Sequence, residues 1–109
     1  MPRDDARNEP GPSLEYSQLD ELLHSRIRLA VTAALAGVDE ADFSWLRDVV
    51  GASDGNLASH LRKLEDAKYV LMRKTFVGRK PVTYYALSAH GRQAFTAYVR
   101  ALSKFTGGR

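Results

Sequence analysis

Large apolar residues recur at helical spacing in several stretches of this chain, and one stretch between them reads as paired strands. Over residues 16–36, Leu19, Leu22 and Leu23 begin a helical region. Ile27, Leu29, Ala30, Val31, Ala34 and Leu35 then make its second part apolar over more than one face. His24-Ser25 marks a bend between the two parts, and Gly37 is placed as a C-cap. Residues 41–43 fit a short strand. Ser44 reads as the N-cap of a helix over residues 45–50, with Trp45, Leu46, Val49 and Val50 on its apolar side and Gly51-Ala52 as the following turn. Trp45 belongs to a core or an interface on this reading. Ser53 opens the next helix, with Asp54 in the first turn where the helix dipole favours an acid. Leu57, Leu61 and Leu64 fall at i, i+4 and i+7 and form one stripe.

The pattern then changes. Residues 69–77 and 82–87 are rich in β-branched and aromatic side chains, with Gly78-Arg79-Lys80-Pro81 between them. This predicts a β-hairpin in which Gly78 supplies a positive φ and Pro81 breaks the pairing so that the tip projects. Ser88 caps a last helix over Ala89–Phe105. There Phe95, Tyr98, Val99, Leu102 and Phe105 recur on one stripe. The expected fold is mainly α with a β-hairpin wing, an α+β winged helix-turn-helix over residues 14–106. Residues 1–13, MPRDDARNEPGPS, hold three of the four prolines and almost no large apolar residue, and are read as a disordered tail. A chain of 109 residues fits one domain.

Charge sharpens the reading. The net charge is only +3. Residues 1–54 nevertheless carry five basic and eleven acidic side chains, and residues 55–109 carry eleven basic and two acidic. After Asp66 there is no acid, against nine Lys or Arg. A one-sided positive field attracts a polyanion. Neither a polybasic run nor a lipid-insertion helix accompanies it, so double-stranded DNA is the expected partner and a membrane is not. No apolar run approaches the roughly 18 residues of a membrane span and no signal-peptide core is present, so a cytoplasmic, nucleoid-associated location is expected.

Candidate chemistry is that of binding. There is no cysteine, phosphate-binding loop or nucleophile elbow. His24, His60 and His90 are isolated and lack metal-ligand spacing with acids, so neither an enzyme nor a cofactor or metal is expected. On the helix after Ser53, the residues off the leucine stripe are polar or basic. Asn56, Ser59, His60 and Lys63 face outward, with Ser53, Gly55 and Arg62 at the margins. Such a face suits the major groove, where donors and acceptors meet base edges and phosphates. Asn56 is the first choice for base reading, because its amide both donates and accepts toward adenine. On the hairpin, Arg73, Lys74, Arg79 and Lys80 are expected to have no acid nearby; Arg79 and Lys80 are assigned to phosphates or the minor groove, with Arg73 and Lys74 supporting them electrostatically.

The segments IRLAVTAALAG, FSWLRDVVGASDGNLASHLRKLEDAKYV and RKTFVGRKPVTYYALSAHGRQAF together resemble the winged helix-turn-helix regulators of the MarR and ArsR type, over residues 17–105. Thr83, Tyr85, Leu87, Ser88, Gly91 and Arg92 match the wing and post-wing pattern of those families. The resemblance implies a prokaryotic transcriptional regulator, a dimeric repressor of palindromic operators, with a small-molecule effector conceivable but not identified. Where the family pattern commonly has glycine, this chain has Lys68. The expected dimer interface comprises Ile27 and Val31 of the first helical region with Phe95, Tyr98, Val99, Leu102 and Phe105 of the last. The alternative reading is a winged helix used for protein–protein contact, which requires an apolar, weakly charged recognition surface.

Overall fold

The computed structural model describes residues 20–105. The tail assigned to residues 1–13, the start of the first helical region and the last four residues lie outside that range. The first described element is preceded by a turn. The Asp20 carboxylate accepts from the Leu22 N–H at 2.8 Å, and the Leu23 N–H donates to the Asp20 carbonyl at 3.1 Å. Ser25 then takes an extended conformation, φ −143° and ψ 130°, and its hydroxyl accepts from the Arg28 N–H. That is an N-cap, so helix α1 runs only over Arg26–Ala36. The bend expected at His24-Ser25 is a complete break, because a capping serine starts a helix instead of continuing one. Gly37 ends α1 with φ −95°, outside the left-handed region, through 3.3 Å bonds of the tighter i→i+3 type.

Strand β1 is the two-residue Ala41–Asp42. It leads directly into helix α2, Phe43–Val50. The cap is Asp42, whose carboxylate accepts from the Trp45 N–H at 2.8 Å, and not Ser44 as expected. Aspartate caps as well as serine does, and here the last strand residue already has the extended backbone that a cap requires. Gly51 closes α2 at φ 76°. Ser53 caps helix α3, Asp54–Asp66, with its hydroxyl accepting from the Asn56 N–H at 3.2 Å. Leu57, Leu61 and Leu64 are all buried, as their spacing requires.

The end of α3 is a Schellman motif. The Lys68 N–H donates to the Glu65 carbonyl and the Tyr69 N–H to the Leu64 carbonyl, both at 2.9 Å. Lys68 stands at the left-handed position with φ 66°, where glycine is usual. Strand β2, Val70–Val77, pairs antiparallel with β3, Lys80–Leu87, from Val70↔Leu87 out to Val77↔Lys80. The turn is therefore the two residues Gly78-Arg79, with Gly78 at φ 64°, the position that type II′ hairpins give to glycine. Pro81 does not break the pairing; it faces Phe76 inside the ladder. In a two-residue hairpin the pair next to the flanking one exchanges no hydrogen bonds, so the missing N–H of Pro81 points away from β2 and is not needed.

The sheet order is β1-β3-β2, with β1 reaching only Tyr84 and Tyr85 of β3. Helix α4, Ala89–Phe105, follows. The Ser88 hydroxyl accepts from the Gly91 N–H at 2.9 Å and donates to the Lys68 carbonyl at 2.6 Å, with the Tyr69 carbonyl 3.1 Å away. The Ser88 N–H also donates to the Tyr69 carbonyl at 2.9 Å. Gly91 permits this junction: a Cβ there would lie 2.2 Å from the Tyr69 carbonyl oxygen. Helix α1 packs against α2, α3 and α4. The core gathers Leu23, Val31 and Leu35, Leu46, the three leucines of α3, and Val70, Tyr85, Leu87 and Tyr98. The buried Thr32 hydroxyl donates to the Leu29 carbonyl at 2.9 Å, which satisfies it. Among the described residues, four helices and a three-stranded antiparallel sheet with a projecting hairpin make a winged helix.

Candidate nucleic-acid interface

Helix α3 divides cleanly into two sides. Its leucines face α1 and β2, and Ser53, Gly55, Asn56, Ser59, Arg62 and Lys63 are exposed. Asn56, His60 and Lys63 lie at i, i+4 and i+7, so they form one stripe on the outer side. His60 differs from its neighbours in being half-buried. Nη1 of Arg28, from α1, lies 2.8 Å from His60 Nδ1. Burial lowers the pKa of the His60 imidazole, and the positive charges of Arg28 and Lys63 lower it further. Both effects favour the neutral form of a ring that Arg28 holds from the α1 side.

Asp54, the acid in the first turn of α3, is paired with Arg47 of α2 at 3.2 Å. The pair is exposed and adds little stability. Its electrostatic effect is local: it neutralises the carboxylate nearest the N-terminus of α3, where phosphate would otherwise be repelled.

The hairpin cations separate into two groups. Arg73 has an acid partner that is 33 residues distant in sequence: its Nη2 lies 2.5 Å from Glu40 Oε1. Its guanidinium carbon also sits 4.7 Å from the centre of the Tyr84 ring. The expectation that Arg73 has no nearby acid is corrected, because the loop before β1 brings Glu40 beside the base of the hairpin. Lys74, Arg79 and Lys80 are exposed and have no acid partner among the described residues. Phe76, beside the tip, is 69% exposed. Arg28, Arg47 and Glu40 were not singled out by sequence reasoning. Each acts across elements; Arg28 and Glu40 meet partners more than thirty residues away, and Arg47 meets Asp54 across the turn between α2 and α3.

The surfaces expected to pair two copies are also uneven. Val31 is fully buried and Tyr98 is 3% exposed, covered by their own chain. The Tyr98 hydroxyl lies 2.9 Å from His24 Nδ1. Ile27 and Phe95 are half-buried, whereas Val99 and Leu102 are 46% and 37% exposed. The Phe105 side chain lies outside the described residues. Among the described residues no helix is long and apolar enough to cross a membrane.

Comparison with known proteins agrees with this architecture. The uncharacterized protein MJ0432 of Methanocaldococcus jannaschii is 30% identical over 79 residues, which is 72% of this chain and 86% of that protein. A transcriptional regulator homologue from Pyrococcus horikoshii superposes with a TM-score of 0.79 at 26% identity, covering 87% of this chain and 94% of that one. The protein ytfH of Salmonella typhimurium gives a TM-score of 0.66 at 27% identity, over 88% and 81% of the two chains. Regulators of the MarR and ArsR families share the fold. The family model for the winged helix DNA-binding domain matches residues 27–106, from α1 through α4, and the chain belongs to that family.

Proposed function

We propose that this protein is a sequence-specific double-stranded DNA-binding transcriptional regulator, acting as a homodimer and as a repressor. The observation that carries the reading is the combination on one molecule of a polar, exposed α3 face with a hairpin whose Lys74, Arg79 and Lys80 have no acid partner among the described residues. In this reading α3 enters the major groove. Asn56 reads a base, Ser53, Gly55, Ser59, Arg62 and Lys63 supply backbone and marginal contacts, and the wing tip follows the neighbouring phosphates or minor groove. Arg73, already bound to Glu40, holds the wing base and adds little to the DNA field.

The dimer would use Val99 and Leu102 of α4 with Ile27 and Phe95 beside them. Catalysis has no support in the site. The protein-contact alternative requires an apolar recognition surface, and the exposed side of α3 carries no large apolar residue. Regulation by a small molecule is compatible with this mode of DNA binding. The deciding experiment is selection of bound fragments from genomic DNA, followed by titration of the selected site across salt concentrations. An enriched, two-fold symmetric sequence whose affinity falls steeply with salt is expected. Recovery of random fragments, or no retained DNA, would reject the proposal.

A further inference from the structure

Resting on the DNA-binding reading above, we propose that Arg28 is a positioning residue for recognition: it holds His60 as the Nε2–H tautomer, so that α3 presents an N–H donor to a base acceptor, a purine N7, guanine O6 or thymine O4. Three observations build this. First, the Arg28 head is itself anchored, because its Nε donates to the Leu22 carbonyl at 2.5 Å in the turn before α1. Second, its Nη1 lies 2.8 Å from His60 Nδ1. A guanidinium has donors only, so Nδ1 must be the unprotonated nitrogen and accept. A neutral imidazole with a bare Nδ1 carries its proton on Nε2. Third, the neutral form is the favoured one, since burial and the adjacent Arg28 and Lys63 charges all oppose protonation.

The ring is placed for reading. His60 shares the outer stripe of α3 with Asn56 and Lys63, and no described residue hydrogen-bonds to its Nε2. A side chain whose tautomer is left open can turn a donor or an acceptor to the groove and discriminates poorly. A fixed donor favours guanine, adenine or thymine edges, each of which offers an acceptor, over the cytosine amino group, which offers none in the major groove. Arg28 touches no base in this scheme. It converts an ambiguous ring into a donor from the opposite side.

The test begins on the free, full-length protein. A long-range proton–nitrogen correlation spectrum should show His60 protonated at Nε2. In Arg28→Met the ring should become a mixture of tautomers with a raised pKa, and Arg28→Lys, which keeps a donor, should restore much of the wild-type pattern. Base preference is then profiled on the selected DNA. In Arg28→Met one position per half-site should lose roughly three- to tenfold of its discrimination against cytosine, the worth of a single hydrogen bond. The other positions should stay unchanged. Wild-type protein with the His60 proton on Nδ1 overturns the proposal without any variant, even if Arg28→Met folds poorly. An unaltered tautomer and pKa in a folded Arg28→Met overturns it as well. A uniform affinity loss with the profile intact removes the reading role and leaves Arg28 a structural residue. Absence of specific DNA for wild type rejects the broader function instead, and the spectra of the free protein keep the two failures apart.

Discussion

Lys68 holds a backbone conformation that a side chain normally avoids, because the two capping bonds at the end of α3 require it. A non-glycine residue there costs about 1–2 kcal/mol. Glycine would remove that strain and lose part of the gain to its freer unfolded chain. Lys68→Gly should therefore stabilise the protein by about 0.5–1 kcal/mol, read as a higher urea midpoint with an unchanged slope. Gly91 is the opposite case. Gly91→Ala drives a methyl against the Tyr69 carbonyl, a backbone atom fixed by Ser88. A loss of about 3 kcal/mol or more is expected in the same assay; a neutral alanine would show that α4 can shift freely on the sheet. His60 gives a pH dependence. Its folded pKa lies below the ordinary value, by burial first and by the Arg28 and Lys63 charges after it. The unfolded chain therefore takes up the proton first as pH falls. The stability it protects is fully present above roughly pH 6.5 and declines as pH drops through the folded value. Comparing unfolding of wild type and His60→Gln at pH 7.5 and 5.5 isolates this part: the wild type should lose more.

The two proposed recognition elements call for different experiments. For the wing, Arg79→Ala with Lys80→Ala should weaken binding to every sequence alike and reduce the salt slope by about one unit per cation that contacts a phosphate. Equal affinity and slope would remove the tip from the interface. For α3, Asn56→Ala should relax preference at one base pair per half-site by about 1–3 kcal/mol, with the remaining profile intact. Much of this architecture was readable from the chain alone, and the reason is local. Ser53 and the leucines of α3 and the Ser88 cap all follow from interactions within a few residues. The misplacements arose where two short-range signals competed or where the partner was distant. Ser44 looked like a cap, but Asp42 already had the extended backbone of a strand. Pro81 looked like a breaker, yet pairing alternates between bonded and non-bonded positions, and it occupies one where no N–H is needed. Glu40 reaches Arg73, and Arg28 reaches His60, only after the chain has folded back on itself. For the same reason the periodic stripe of α4 revealed an apolar face without telling which part the domain itself would cover.

For the whole molecule, that division bears on assembly. With Tyr98 and Val31 inside the protomer, a second copy would have to meet Val99 and Leu102. Val99→Glu with Leu102→Glu should leave the fold intact and turn a dimer into a monomer in sedimentation at micromolar concentration, weakening binding to a symmetric site far more than to a half-site. If wild type already sediments as a monomer and binds one per site, the dimer proposal fails. Paired recognition helices would otherwise stand about 34 Å apart, one turn of DNA. The Ser88 junction adds a mechanical corollary. One hydroxyl and one amide tie the start of α4 to the two carbonyls at which α3 ends and β2 begins. These bonds couple the start of α4 to the end of α3 and the start of the hairpin, so a tilt of α4 is expected to move them together. A small angular change where two copies meet would then be magnified into a change of reach across the double helix.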